Sequence, residues 1–202
     1  MTQKRSASIN LHRMRKQFTP RPLALGVASL FLAACSDNRE DVIIYKTLED
    51  CTDDNPNRVQ ACTLAYEEAL EEARKTGPKY ANMQTCEYDF GPRQCEYVDN
   101  NGGSFFMPLM AGYMLGNLLS PNRYYSQPLF TSYSPYSPYR YRYIMADGYD
   151  IGDLSKKRTK VKPGAFKPKP EIKKTMSRGG FGSTVRAKSS WGSSSRKSGW
   201  GG

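Results

Sequence analysis

Residues 59–76, V-Q-A-C-T-L-A-Y-E-E-A-L-E-E-A-R-K-T, form the stretch of the chain with the strongest helical pattern. Ala, Leu and Glu, which favour helices, make up most of it. Apolar side chains recur at steps of three and four residues and form one face, made by Cys62, Tyr66, Ala69, Leu70 and Ala73. Glutamates occupy the other side, where we interpret them as a solvated surface and not as catalytic groups. The pattern therefore predicts an amphipathic helix that ends at Gly77-Pro78.

Four cysteines lie in or near this helix, at positions 51, 62, 86 and 95, and their even number indicates two disulfides if the domain is exported. Three pairings are possible. We favour the local pairing, Cys51–Cys62 and Cys86–Cys95, because each enclosed loop is short and contains a turn signal, Asn55-Pro56 or Gly91-Pro92. The alternative is a zinc site made by four thiolates. The spacing lacks the close cysteine pairs of such sites, so no metal site is predicted.

Two further elements are predicted near the helix, a second helix at 83–90 and a short strand at 42–45. The expected fold class is a small α or α+β disulfide-stapled domain with a long, mostly disordered basic C-terminal tail. The expected organisation is a tether at 35–39, the disulfide-bonded domain at 40–100, an apolar Gly/Met-rich segment at 101–120, and a tail at 121–202 that is Tyr/Pro-rich and then basic and Gly/Ser-rich.

The N-terminus, residues 1–34, has the pattern of a signal peptide of the lipoprotein type. It contains basic residues and no acid, then ten apolar residues at 23–32, about half of the roughly 20 needed to span a bilayer. Leu32-Ala33-Ala34-Cys35 matches a bacterial lipobox, which predicts lipidation of Cys35. The alternative is a buried helix with an ordinary cysteine. Translation from Met14 would shorten the long basic region and keep the signal.

The residue directly after Cys35 affects the membrane to which a bacterial lipoprotein is sorted. An Asp there would retain a lipoprotein of the enterobacterial type at the inner membrane, and this chain has Ser36. We therefore expect a lipid-anchored protein at the periplasmic face of the outer membrane in the bacterial cell envelope. More than one acyl chain gives stable anchoring, whereas one chain is marginal.

Charge is unevenly distributed along the chain, whose net charge is +11. Residues 35–150 hold ten basic and seventeen acidic residues, and residues 151–202 hold fourteen basic and two acidic residues. An acidic body thus precedes a basic tail. In the periplasm the tail would meet an anionic envelope surface made of lipid head groups, lipopolysaccharide or cell wall, which we expect to be its partner.

The segment 105–119 is apolar, uncharged and interrupted by Pro108, so a membrane span is not expected. Two interpretations stay open here. The segment either packs on the disulfide domain or mediates membrane-surface contact or self-association. Gly112-x-x-x-Gly116 would support association only within a longer apolar helix.

Catalysis is not expected, because the motifs of the common enzyme classes are missing from the sequence. His12 is the one histidine of the chain, and it lies in the segment predicted to be removed. A chain without it has no His-based triad or general base. No catalytic residue and no cofactor is predicted, and we expect a protein that is not an enzyme.

Several motifs occur in the same order as in one known family. They are the lipobox, Thr76-Gly77-Pro78-Lys79-Tyr80-Ala81, the four cysteines, the run from Gly103 to Met114, Gln127-Pro128-Leu129-Phe130 and Arg178-Gly179-Gly180-Phe181-Gly182. Together they resemble the enterobacterial YgiB-type family of uncharacterised proteins, which implies a lipoprotein with a domain of unknown function. The resemblance covers most of the chain and implies no activity, substrate or site residue.

Two functional hypotheses follow from the sequence. The first is an exported lipoprotein that acts as a non-enzymatic interaction or structural protein of the cell envelope. The alternative is a cytoplasmic nucleic-acid-binding protein that uses the basic aromatic tail, since Arg-Gly-Gly and interleaved aromatics suit phosphate contact and base stacking. An export signal would carry the protein away from cellular nucleic acid, so nucleic acid is not the partner that we expect.

Overall fold

The computed structural model describes residues 38–100, 103–116 and 126–191. Within these residues the helices are α1 (Leu48–Asp54), α2 (Val59–Thr76), α3 (Met83–Phe90) and α4 (Gly180–Trp191). The strands are β1 (Glu40–Tyr45), β2 (Cys95–Asn100), β3 (Gly103–Pro108), β4 (Gly112–Leu115), β5 (Ser126–Phe130), β6 (Arg142–Met145), β7 (Asp150–Asp153) and β8 (Arg158–Val161). Two 3-10 turns are present, Pro56–Arg58 between α1 and α2 and Pro163–Phe166 after β8.

The main sheet of the described residues has six strands in the order β7-β6-β5-β4-β1-β8, and all of its pairs are antiparallel. Strand β1 pairs with β4 on one side and with β8 on the other. Tyr45 lies opposite Tyr113, and Glu40 lies opposite Val161. Strands β2 and β3 form a separate hairpin. The first strand is therefore held by partners that follow it by many residues, which local sequence patterns do not indicate.

The two helices predicted from periodicity are confirmed, since α2 spans Val59–Thr76 and α3 spans Met83–Phe90. The predicted strand at 42–45 is the second part of β1. Side-chain caps start two of the helices, as expected for polar residues at these positions. The Thr47 hydroxyl accepts a hydrogen bond from the Asp50 amide in α1, and the Asn82 side chain accepts one from the Thr85 amide in α3.

The buried face of α2 is lined by small side chains. They are Ala61, Cys62, Ala65, Ala69, Ala73 and Thr76. This face packs against β5 and belongs, through Ala65 and Ala69, to a cluster that includes Tyr45 and Tyr113. Small residues let the helix axis approach the sheet closely, so that the large tyrosine rings fill the space between them.

The predicted fold class is wrong, because a six-stranded antiparallel sheet organises the described residues and the part expected to be a disordered tail supplies four strands and a helix. Strands β5 to β8 and helix α4 all lie within residues 126–191. The prediction of disorder rests on the small number of aliphatic side chains in this part of the chain. Its tyrosines take their place, since Tyr139 and Tyr143 are buried and pack beside Ile144 and Met145 in the two main clusters.

The apolar segment contributes to the same core. Its described part forms most of β3 and all of β4, and Met107, Tyr113, Met114 and Leu115 are buried. Among the helices in the described part of the chain, none is both long and apolar enough to cross a membrane. Residues 117–119 of the segment lie outside the described residues. The buried side chains support the interpretation that the segment packs on the domain.

Both disulfides are present in the favoured local pairing. Cys51–Cys62 joins α1 to α2, and Cys86–Cys95 joins α3 to the start of β2. Cys51, Cys62 and Cys86 are fully buried. Each bridge closes a short loop, and such bridges stabilise the fold mainly by restricting the unfolded chain.

Candidate functional site

A small cleft opens where the end of α3, the loop 134–139 and the start of α4 meet. Its volume is about 80 Å³. The residues that line it are Tyr88, Asp89, Tyr136, Ser137, Pro138, Tyr139, Gly179, Gly182 and Arg186. We call it the aromatic cleft. It brings together α3 and the Arg-Gly-Gly element, which are separated by about 90 residues in the sequence.

Asp89 lies at the floor of the aromatic cleft and is 5% exposed. Its carboxylate accepts a hydrogen bond from the Tyr80 hydroxyl at 2.8 Å and another from the Gly179 amide at 2.8 Å. Gly179 immediately precedes α4 and has a positive φ of 74°, a conformation that favours glycine. A negative charge at the N-terminal end of a helix is stabilised by the exposed amides there. Asp89 therefore joins α3 to α4.

The loop after β5 is held against the C-terminal end of α3 by three hydrogen bonds. The Ser134 hydroxyl donates to the Tyr88 carbonyl at 2.7 Å, the Ser132 hydroxyl donates to the Asp89 carbonyl at 2.6 Å, and the Tyr133 amide donates to the Phe90 carbonyl at 2.8 Å. The last carbonyls of a helix have no partner within the helix. Serines in the Tyr/Ser-rich stretch thus cap α3 and fix the position of one wall of the cleft.

Aromatic and cationic side chains form the rim of the cleft. The rings of Tyr88 and Tyr136 stack in parallel, with centroids 5.1 Å apart and 5° between their planes. The Arg178 guanidinium lies over the Tyr88 ring, 4.8 Å from its centroid, a favourable cation–π geometry. Tyr136 is 69% exposed, and Arg186 also lines the cleft. The rim can therefore stack on a flat or apolar group and attract an anionic one.

The pKa values of the tyrosine hydroxyls near Asp89 are shifted further above neutral pH. Burial, together with the Asp89 charge, raises the pKa of Tyr80 and of Tyr139. Both hydroxyls therefore stay protonated at neutral pH and do not act as bases, and the Tyr80 hydroxyl donates its hydrogen bond to Asp89. The Asp89 carboxylate already accepts two hydrogen bonds. These properties suit recognition of a bound group better than proton transfer.

A second candidate region is the basic segment, residues 156–174, which contains β8 and the 3-10 turn after it. Two of its lysines are used inside the fold, since Lys157 pairs with Asp54 at 2.8 Å and Lys169 pairs with Asp147 at 3.3 Å. The other basic side chains of the segment are exposed, namely Lys156, Arg158, Lys160, Lys162, Lys167, Lys173 and Lys174. The basic residues of the expected tail thus lie on an ordered surface.

The predicted lipidation site, Cys35, and the signal peptide at 1–34 lie outside the described residues. The four other cysteines form the two disulfides. In the parts of the chain that the structure describes, no three His, Cys, Asp or Glu side chains come together as a metal site. Three residues of the aromatic cleft were not predicted from the sequence, namely Tyr88, Asp89 and Tyr136. No local pattern marks them, because their partners Gly179 and Arg178 follow much later in the chain.

Comparison with known proteins assigns the family. Residues 39–192 match the family described as "Protein of unknown function (DUF1190)". The chain is 39% identical to a UPF0441 protein of Yersinia pestis bv. Antiqua over 93% of this chain and 92% of that protein. It is also 39% identical to UPF0441 proteins of Erwinia tasmaniensis, over 97% of this chain and 99% of that one, and of Klebsiella pneumoniae, over 92% of each.

The chain therefore belongs to the DUF1190 family, and the UPF0441 proteins are its relatives. The resemblance to an uncharacterised enterobacterial family is confirmed. No solved structure matches the chain. The family assignment brings no activity or partner with it, so a function has to be inferred from the residues of this chain.

Proposed function

We propose that this protein is an exported lipoprotein, acylated on Cys35 and held at the periplasmic face of the outer membrane, where it acts by binding and not by catalysis. The observation that carries the proposal is the pair of disulfides. Structural disulfides persist in oxidising compartments such as the periplasm. They use four of the five cysteines, and the fifth is Cys35, at the end of the lipobox pattern.

The binding role is supported by the two surfaces described above. The aromatic cleft offers stacked tyrosines and arginine at its rim, and the basic segment offers exposed lysines. An anionic envelope surface of lipid head groups, lipopolysaccharide or cell wall is the partner that this charge favours. Self-association through 105–119 stays a prediction, for which Leu109, 42% exposed, is an available apolar side chain.

Metabolic labelling with palmitate tests the proposal. Wild-type protein should be labelled and should sediment with the membranes, because the acyl chains anchor it. The variant Cys35→Ser should lose the label and leave the membrane fraction. A matched control, Cys51→Ser with Cys62→Ser, removes two other cysteines and should keep the label. Unlabelled wild-type protein in the cytoplasm would contradict the proposal.

Sorting is tested by changing the residue after Cys35. In an enterobacterial host, Ser36→Asp should move the labelled protein from the outer to the inner membrane fraction, whereas Ser36→Asn should leave it in place. Equal distribution of the wild-type protein and the Asp variant would contradict the outer-membrane assignment and leave the lipidation itself standing.

A further inference from the structure

Strand β8 lies at the edge of the main sheet and beside the start of β1. Because the two strands are antiparallel, Lys160 lies opposite Asp41 and Val161 lies opposite Glu40. Residues after Val161 therefore continue past the first residue of β1. This is the end of β1 at which the chain arrives from the N-terminal segment. The register thus places Lys160 and Lys162 beside the first residues of β1, where the preceding segment of the chain joins the sheet. We call this place the entry point.

Covalent geometry limits how far this entry point can lie from Cys35. Five residue steps connect Cys35 to Glu40. At about 3.4 Å per step, their Cα atoms are at most roughly 17 Å apart. Neighbouring strands are separated by about 4.8 Å, which brings the end of β8 within a similar range. If Cys35 carries acyl chains, the end of β8 cannot move far from the head groups of the bilayer that holds them.

The side chains of β8 alternate between the core and solvent. Val161 is buried, whereas Arg158, Lys160 and Lys162 are exposed and, at steps of two residues, follow one face of the strand. Lys167 is exposed after the 3-10 turn. Among the described residues no acidic partner pairs with Lys160, Lys162 or Lys167, in contrast to Lys157 and Lys169. We call Lys160, Lys162 and Lys167 the lysine edge.

The lysine edge is held in place by apolar residues between its members. Ala165 and Phe166 of the 3-10 turn are buried in the cluster that contains Val161. The Phe166 ring packs against Gly116, where a Cβ atom would be only 3.3 Å from it. The turn is closed by the Ala165 amide, which donates to the Lys162 carbonyl. Lys160 and Lys162 therefore extend from one face of a fixed stretch of backbone, and the exposed Lys167 follows directly after the buried turn.

We propose that the lysine edge is a membrane-apposing surface that contacts the anionic phospholipid head groups of the bilayer in which the protein is anchored. The proposal rests on the lipid anchor proposed above and adds an orientation to it. Each lysine close to an anionic surface is attracted to it, and salt screens the attraction. The exposed carboxylates of Glu40 and Asp41 reduce the local positive charge without cancelling it, since the edge has one more charge than they do.

Another explanation for lysines on an edge strand is protection against pairing with a second chain. That role requires no lipid and does not depend on the charge of a membrane. The two explanations therefore differ in what happens when the lipid composition changes.

The test uses the protein purified from cells and reconstituted into vesicles of phosphatidylcholine, with or without about one third phosphatidylglycerol. An amine-reactive reagent followed by mass spectrometry measures the exposure of each lysine. Lys173 and Lys174 serve as internal controls, because the Ile172 amide bonded to the Lys75 carbonyl places them beside the end of α2. We expect the labelling of Lys160 and Lys162 to fall severalfold in anionic vesicles only, and to recover at about 0.5 M salt.

Equal labelling of the lysine edge in both kinds of vesicle would overturn the proposal and leave edge protection as its role. Equal protection of Lys173 and Lys174 would also overturn it, since that result indicates a general attraction without orientation. The mass of the purified protein reports acylation independently. Without acyl chains the proposed anchor fails, and protection of Lys160 and Lys162 on mixing with anionic vesicles still decides whether the edge binds lipid.

Variants provide a second measurement. In the Cys35→Ser background, Lys160→Gln with Lys162→Gln should weaken sedimentation with anionic vesicles by about tenfold. The control Lys173→Gln with Lys174→Gln, which removes the same charge, should change it less than about twofold. Circular dichroism confirms that each pair folds. An equal loss in both pairs would show that net charge, and not the lysine edge, drives binding.

Discussion

At the residue scale, Asp89 connects several elements that are distant from one another in the sequence. Its side chain joins Tyr80 to the start of α4, and its carbonyl accepts the Ser132 hydroxyl. A buried carboxylate needs such partners, because an unpaired buried charge is strongly unfavourable. The same residue forms the floor of the aromatic cleft. The shape of the cleft thus depends on this side chain, which also fixes the start of α4 beside the buried Phe181 and Val185.

Replacing Asp89 with Asn is expected to destabilise the protein. The amide keeps one acceptor, so either the Tyr80 hydroxyl or the Gly179 amide loses its carboxylate partner. Hydrogen bonds to charged groups contribute about 1.5–3 kcal/mol, and a loss within this range should appear as a lower urea midpoint. The control Asp53→Asn lies on the exposed part of α1 and should change stability by less than about 0.5 kcal/mol. Equal effects of the two changes would remove the special role of Asp89.

At the scale of elements, α2 illustrates how a sequence pattern and a packing interface differ. The apolar face predicted from spacing included Tyr66 and Leu70, which are only half-buried. The other three predicted members, Cys62, Ala69 and Ala73, are buried, and the prediction missed the buried Ala61, Ala65 and Thr76. Alanine in a helix carries little information about burial. The sheet selects this face because only small side chains leave room for Tyr45 and Tyr113.

Enlarging a side chain on this face is expected to disrupt it. Ala69 is fully buried, and Ala69→Leu should cost about 1–3 kcal/mol, because overpacking forces rotamer and backbone shifts. Leu64 is 49% exposed on the same helix, and Leu64→Ala should be nearly neutral. Thermal unfolding followed by circular dichroism measures both. A stable Ala69→Leu variant would mean that α2 lies further from the sheet than the structure shows.

At the scale of the whole molecule, the core depends on neutral tyrosines. Burial raises the pKa of Tyr80, Tyr113 and Tyr139, and it raises the pKa of Tyr143 to about 12. An unfolded tyrosine ionises near pH 10. Above that pH the unfolded chain releases protons that the folded chain retains, so the free energy of unfolding decreases. The stabilisation is complete below about pH 10 and is lost as the pH rises toward the folded pKa values.

This dependence can be measured by urea unfolding between pH 8 and pH 11.5. Each buried tyrosine should lower the free energy of unfolding by up to about 1.4 kcal/mol per pH unit above pH 10. Tyr143→Phe cannot ionise at this position and should make the decrease shallower. Stability that stays constant up to pH 11.5, or tyrosinate absorbance that appears at pH 10 without unfolding, would contradict the expectation.

The helices α2 and α3 and the local disulfide pairing could be predicted from the sequence because they depend on near neighbours. Helical periodicity, the Gly77-Pro78 stop and the turn inside each cysteine loop all act within a few residues. The same local information predicts the lipobox at Cys35, which supports the proposed function together with the disulfides. Each of these features is determined by residues that are close together in the sequence.

The β-sheet, the aromatic cleft and the lysine edge are decided by the tertiary structure alone. Strands as short as Arg142–Met145 and Arg158–Val161 have too few residues to show a period, and each becomes stable only against a partner distant in sequence. A composition rich in tyrosine and serine predicts disorder when only the numbers of each residue type are considered. In three dimensions the tyrosine rings fill the core, and the serine hydroxyls complete the hydrogen bonds of a helix end. The lysine-rich stretch likewise becomes an ordered surface, because Val161, Ala165 and Phe166 between its lysines are buried in the core.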